Sequence, residues 1–145
     1  MKGLKHLFLI DPLEVLKSKF ANDSSTALML EGLVRGQKIF VATLQDLKVE
    51  VGSSKFGKGA KLQVRCKEVQ GIDANYIFDL GLDHEMVVEE FQVVWLRKNP
   101  PFDETYLLHL DLFDSVDRRK VFFVNDPALV RGLNEKLTIL NFPEF

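Results

Sequence analysis

Short apolar runs alternate with polar, turn-rich stretches along most of this chain. The run His6 to Ile10 stops at Asp11-Pro12, the pattern of a first buried strand followed by a turn. Asn22, Asp23, Ser24 and Ser25 then offer several N-cap residues ahead of the stretch Thr26 to Arg35, and Gly36 stands where a helix would stop. Lys38 to Ala42 follows at once as a second, parallel strand, completing a βαβ unit.

From Leu47 to Leu82 the pattern loosens. Lys48 to Val51 and Leu62 to Cys66 each alternate, with Gly52, Gly57 and Gly59 between them, which predicts a solvent-facing hairpin inserted in the α/β frame. A further strand is expected at Tyr76 to Phe78. Regular order returns with Val93 to Leu96, the end of an apolar run that starts at Phe91. A helix is predicted from Asp103, its N-cap, to about Asp114, with Tyr106, Leu110 and Phe113 on one face. Val121 to Val124 reads as another parallel strand, and Pro127 as the first residue of a helix that Gly132 to Asn134 breaks. A last short helix is expected from Glu135 to Asn141.

At 145 residues and 46% apolar content the chain is long enough for one core, so a single domain is expected. A net charge of −2 and a pI near 5.9 give no reason to expect nucleic acid or an anionic membrane as a partner. Cys66 is the only cysteine, which excludes an internal disulfide; a half-buried strand cysteine accounts for it better than a reactive thiol. The apolar run near the N-terminus is too short for a signal peptide or a transmembrane span, so a cytoplasmic protein is expected.

The stretch Arg97-Lys98-Asn99-Pro100-Pro101-Phe102-Asp103 stands between a predicted strand and a predicted helix. Loops at the carboxyl ends of strands carry the chemistry of open α/β sheets. Two consecutive prolines should stiffen this one, and Arg97 and Lys98 at its start suit an anion clamp, although solvated strand-end cations account for them as well. Ser24 and Ser25, at a helix start near the end of the first strand, could likewise meet an anion or act only as caps. Gly52 to Gly59 nearly matches the phosphate-binding pattern G-x-x-x-x-G-K-[ST], but Gly59 replaces the hydroxyl residue and an alternating strand follows where a helix is needed, so a glycine-rich turn is the better reading. His6, His84 and His109 lack partners at recognisable spacing, and no metal ligand or catalytic residue is assigned.

Several of these pieces occur together in one family. Asp11-Pro12, Asp23-Ser24-Ser25 with Ala27 to Glu31 and Arg35-Gly36, the string Arg97 to Asp103, Val124-Asn125 with Pro127, and Asn134-Glu135-Lys136 stand in the order in which they occur there. The chain resembles the N-terminal domain of bacterial glutathione synthetase, the ligase that joins γ-glutamylcysteine to glycine with ATP. The region Lys48 to Val69 departs most, and Trp95 stands where a smaller apolar residue is expected.

That resemblance implies an α/β, Rossmann-like pre-ATP-grasp domain, with a mostly parallel sheet, helices on both faces and an inserted β-hairpin. It implies that Arg97 holds a substrate carboxylate, that Asp11, Ser24 and Ser25 belong to the same substrate cleft, and that Lys136 reaches across to an ATP phosphate. ATP and magnesium are implied only for the complete ligase, on a separate ATP-grasp domain or chain, with γ-glutamylcysteine or glutathione as ligand and homo-oligomerisation left open. The sequence as given stops at Phe145, where the family enters its ATP-grasp domain. The expectation is one pre-ATP-grasp domain over residues 1–145, the substrate-binding half of a ligase, which does not catalyse alone. The alternatives are a stand-alone binding or regulatory protein that keeps the fold and the clamp, and an interaction module using the Gly52 to Gly59 hairpin.

Overall fold

The computed structural model describes residues 3–13, 23–51, 59–99, 101 and 103–132. Its centre is strand β1 (Lys5–Leu9), in which Leu7, Phe8 and Leu9 are all buried. A strand apolar at successive positions needs cover on both faces, and β1 has it. Strand β2 (Lys38–Ala42) pairs parallel on one edge, from Lys5 opposite Lys38 to Leu9 opposite Ala42. Strand β6 (Val93–Leu96) pairs parallel on the other, with His6 opposite Val93 and Leu9 opposite Leu96. Strand β7 (Phe122–Val124) extends the parallel set beyond β6.

The expected hairpin is part of a larger antiparallel wing. Strand β3 (Leu47–Val51) pairs with β4 (Ala60–Ile72), Leu47 facing Val64 and Val51 facing Ala60. The later part of β4 continues onto β2, with Ile39 opposite Val69, so one long strand joins the wing to the parallel frame. Its other edge carries β5 (Phe78–Val87), giving the order β3-β4-β2-β1-β6-β7 with β5 on β4. The strand expected at Tyr76 to Phe78 is corrected accordingly. Tyr76 lies in a turn at φ +60°, held by the Asp73 carboxylate accepting from the Asn75 and Ile77 amides, and the strand begins only at Phe78.

Alternation along the strands divides the core in two. Leu7, Leu9, Phe40, Val94 and Leu96 face one way, against Tyr106 and Leu110 of helix α2 (Glu104–Leu112) and against Phe113. Phe8, Ile10, Ile39 and Val41 face the other, against Met29 of helix α1 (Ser24–Val34). Helices therefore cover both faces, as expected of this fold class. Both have the predicted caps: the Asp23 carboxylate accepts from the Thr26 amide at 2.9 Å and that of Asp103 from the Tyr106 amide at 2.8 Å. Gly36 follows α1 at φ +70°, a conformation that favours glycine. Helix α3 (Pro127–Gly132) starts at Pro127 as predicted, while the helix expected from Glu135 to Asn141 lies outside the described residues. Among the described residues no helix is long and apolar enough to cross a membrane.

Trp95 fills the space beside α1 by stacking on Phe8, with ring centroids 5.2 Å apart and planes within 6°. Its indole nitrogen donates to Nδ1 of His6 at 3.1 Å, and Nε2 of His6 is buried without a partner among the described residues. Burial lowers the His6 pKa below its ordinary value of 6.5. The folded protein then holds fewer protons here than the unfolded chain, so stability contributed by neutral His6 is present above 6.5 and is lost as pH falls through the lower folded value. Denaturant titrations between pH ~5 and ~7 should show stability rising with pH, with a shallower slope for His6→Phe. Leu110→Ala, which opens the core under α2, should lower unfolding free energy by about 2 to 5 kcal/mol in guanidinium titrations.

Candidate functional site

From β1 the chain passes to β2 on one side and later returns as β6 on the other. The carboxyl ends of β1 and β6 therefore flank the point where the strand order reverses, the usual ligand crevice of such sheets. The backbone joins them closely, because the Arg97 amide donates to the Leu9 carbonyl at 2.8 Å. The next residues of both strands meet through side chains. The Asp11 carboxylate accepts from the Asn99 amide at 3.1 Å and from Nδ2 of Asn99 at 2.9 Å. Lys98 stands 3.7 Å from the other oxygen of Asp11 and 5.6 Å from the Tyr106 ring centre.

The Arg97 side chain crosses to the start of α1. Its Nε donates to the hydroxyl of Ser25 at 3.0 Å, and its Nη2 donates to that of Ser24. Ser25 is buried, so its hydroxyl is fixed in place, while Ser24 meets Arg97 at the exposed side. The first amides of a helix lack intrahelical acceptors and carry partial positive charge. A guanidinium held against such an end gives two positive groups side by side, and Asp23 is already engaged in capping Thr26. An anion placed there would meet donors from both.

Three of the four expected substrate residues, Arg97, Ser24 and Ser25, are thus in direct contact, and Asp11 joins them through Asn99. Lys136 lies outside the described residues, as do Pro100 and Phe102 of the loop. Asn99 is the member that no spacing rule marks, since its role arises only when the ends of β1 and β6 become neighbours.

The remaining candidates are settled by their surroundings. Cys66 is fully rather than half buried, and burial above all, with the nearby Asp46 charge adding to it, pushes its thiol up to about 12, so it stays protonated at neutral pH. Gly52 to Lys58 lie outside the described residues, but the strands on either side are antiparallel partners, and no helix follows as a phosphate-binding loop requires. His109 bonds to the Thr105 carbonyl of its own helix. Among the described residues no group of three or more His, Cys, Asp or Glu could hold a metal ion.

Comparison with known proteins gives one consistent family. The model of the prokaryotic glutathione synthetase N-terminal domain matches residues 4–131. The chain belongs to this family. Glutathione synthetase of Synechococcus elongatus is 34% identical over 144 residues, covering 96% of this chain and 43% of that protein. Those of Shewanella oneidensis and Gloeobacter violaceus are 32% and 34% identical over 94% and 97% of the chain. The chain thus spans about two fifths of the length of the glutathione synthetases it matches, as an N-terminal domain would. The family match reaches across both strand ends of the crevice and all of α1.

Asp11→Ala should remove the acceptor that holds Asn99, and with it about 1 kcal/mol of local order. Hydrogen exchange followed by NMR should show the Asn99 amide exchanging several-fold faster, with amides of β1 unchanged.

Proposed function

We propose that this chain supplies the substrate-binding half of a glutathione synthetase. The reading is carried by one arrangement: Arg97 fixed by Ser24 and Ser25 against the start of α1, at the reversal point of the strand order. A planar guanidinium there can hold a carboxylate through parallel hydrogen bonds, while the hydroxyls keep it aimed. Membership of the glutathione synthetase family makes γ-glutamylcysteine the substrate of choice, with glutathione binding the same groups as product.

In this reading ATP, bound with magnesium by an ATP-grasp domain or chain, phosphorylates the cysteinyl carboxylate, and the glycine amine then attacks the acyl phosphate and releases phosphate. The described residues suit the first requirement of that sequence, a held and oriented peptide. The nucleotide and its magnesium belong in this reading to the ATP-grasp part, so ligation takes both parts together. Lys136 is the residue proposed to reach the nucleotide phosphate. The working compartment would be the cytoplasm.

Calorimetry with γ-glutamylcysteine tests this directly. Arg97→Ala should weaken binding by about 10- to 100-fold, the loss of a charge-assisted pair, and Arg97→Lys should recover only part of it. Equal affinity of the Arg97→Ala protein would remove Arg97 from the site. Adding an ATP-grasp partner with ATP, magnesium and glycine should release phosphate, and no turnover with any such partner would count against the ligase reading.

A further inference from the structure

A second recess lies beside the crevice, at the carboxyl ends of β1 and β2. It encloses about 410 Å³, within the range of small-molecule sites, and Val41 and Leu80 give it an apolar lining. Its charged residues come from two parts of the sheet. Asp11, after β1, and Asp46, in the turn after β2, are one set; Arg65 and Lys67 of β4, with Asp83 of β5, are the other.

Both sets have hydrogen-bonding capacity left over. One oxygen of Asp46 accepts from the Thr43 amide and hydroxyl, each at 2.7 Å, and its second oxygen has no partner among the described residues. Asp11 uses one oxygen on Asn99, and its other meets only Lys98 at 3.7 Å. Arg65 gives one nitrogen to Asp83 at 2.5 Å, leaving Nε and Nη1 without acceptors among the described residues. The Lys67 ammonium stands 3.6 Å from Asp83, too far for a good hydrogen bond.

Acceptors and donors gathered in one recess suit a ligand with an ammonium and a carboxylate on the same carbon. Three carboxylates disfavour a phosphate, and two cations disfavour a metal ion. We infer that this recess takes the dipolar α-amino-acid end of the peptide substrate, its ammonium toward Asp11 and Asp46 and its carboxylate toward Arg65 and Lys67. The inference rests on the function proposed above: Asp11 belongs to both sites and ties the recess to the Arg97 crevice through Asn99. A peptide could then be held at both ends, and γ-glutamylcysteine carries an α-amino-acid group at one end and a carboxylate at the other.

The test is calorimetry on the intact chain with γ-glutamylcysteine and with N-glutarylcysteine, which lacks only the α-amino group. The wild type should bind the second ligand at least about tenfold more weakly, and Lys67→Gln should weaken γ-glutamylcysteine by about tenfold. Glu85→Gln, on the same wing but outside the recess, should bind as the wild type does, and an unchanged melting temperature for Lys67→Gln excludes misfolding. Equal affinity of the wild type for the two ligands, or wild-type affinity in Lys67→Gln, overturns the inference. If Arg97→Ala still weakens binding in that case, the substrate-binding reading stands without the recess. No binding of either ligand to the wild type overturns both.

Discussion

Strand β1 is hydrogen-bonded along both edges and covered on both faces, and the other elements are arranged around that requirement. Its alternate side chains separate a core under α2 from a core under α1, so neither helix can move without exposing residues that belong to β1. Paired registers from His6 to Leu9 on both sides also fix where β2 and β6 end. Asp11 and Arg97 are neighbours because the strands before them end level with each other.

The crevice concentrates positive potential in a protein whose net charge is slightly negative. A guanidinium and an ammonium follow one strand end directly and a helix start stands against the guanidinium, and Asp11 and Asp23 offset them while serving as hydrogen-bond acceptors for the backbone. Each carboxylate thus has a structural duty as well as a charge. The adjoining recess has the opposite balance, and Asp11 stands at the border of the two.

The parallel frame was legible because its signals are local: a buried run closed by Asp11-Pro12, caps at Asp23 and Asp103, a stop at Gly36, and Pro127 at a helix start. The contact of Arg97 with Ser24 and Ser25 spans more than seventy residues, and the family resemblance rather than any spacing brought the three together. Strand β5 was missed for a different reason. Its sequence does alternate, Phe78, Leu80, Leu82 and Met86 against Asp79, Gly81, Asp83 and Glu85, but a glycine and three acidic residues weaken the strand signal, and Leu82 is 83% exposed, so the apolar face is not a buried one. It is held by backbone pairing to β4 and by ion pairs such as Lys48 with Glu85 and Arg65 with Asp83, none of which has a sequence period. The two sets of recess residues were unreadable for the same reason, since they need β4 and β5 side by side.

The length of β4 has a consequence for how this family can vary. Only Lys67 to Val69 are paired with β2; Ala60 to Val64 run outward beside β3, away from the crevice. Residues added between Val51 and Ala60 need not shift the register of Leu47 to Val51 against Ala60 to Val64, so the side chains of the wing can keep their present faces. Lineages should therefore differ there in length, while Leu9 and Leu96 keep their places. Drift in that outer arm can continue without reaching Arg97, Ser24 or Ser25.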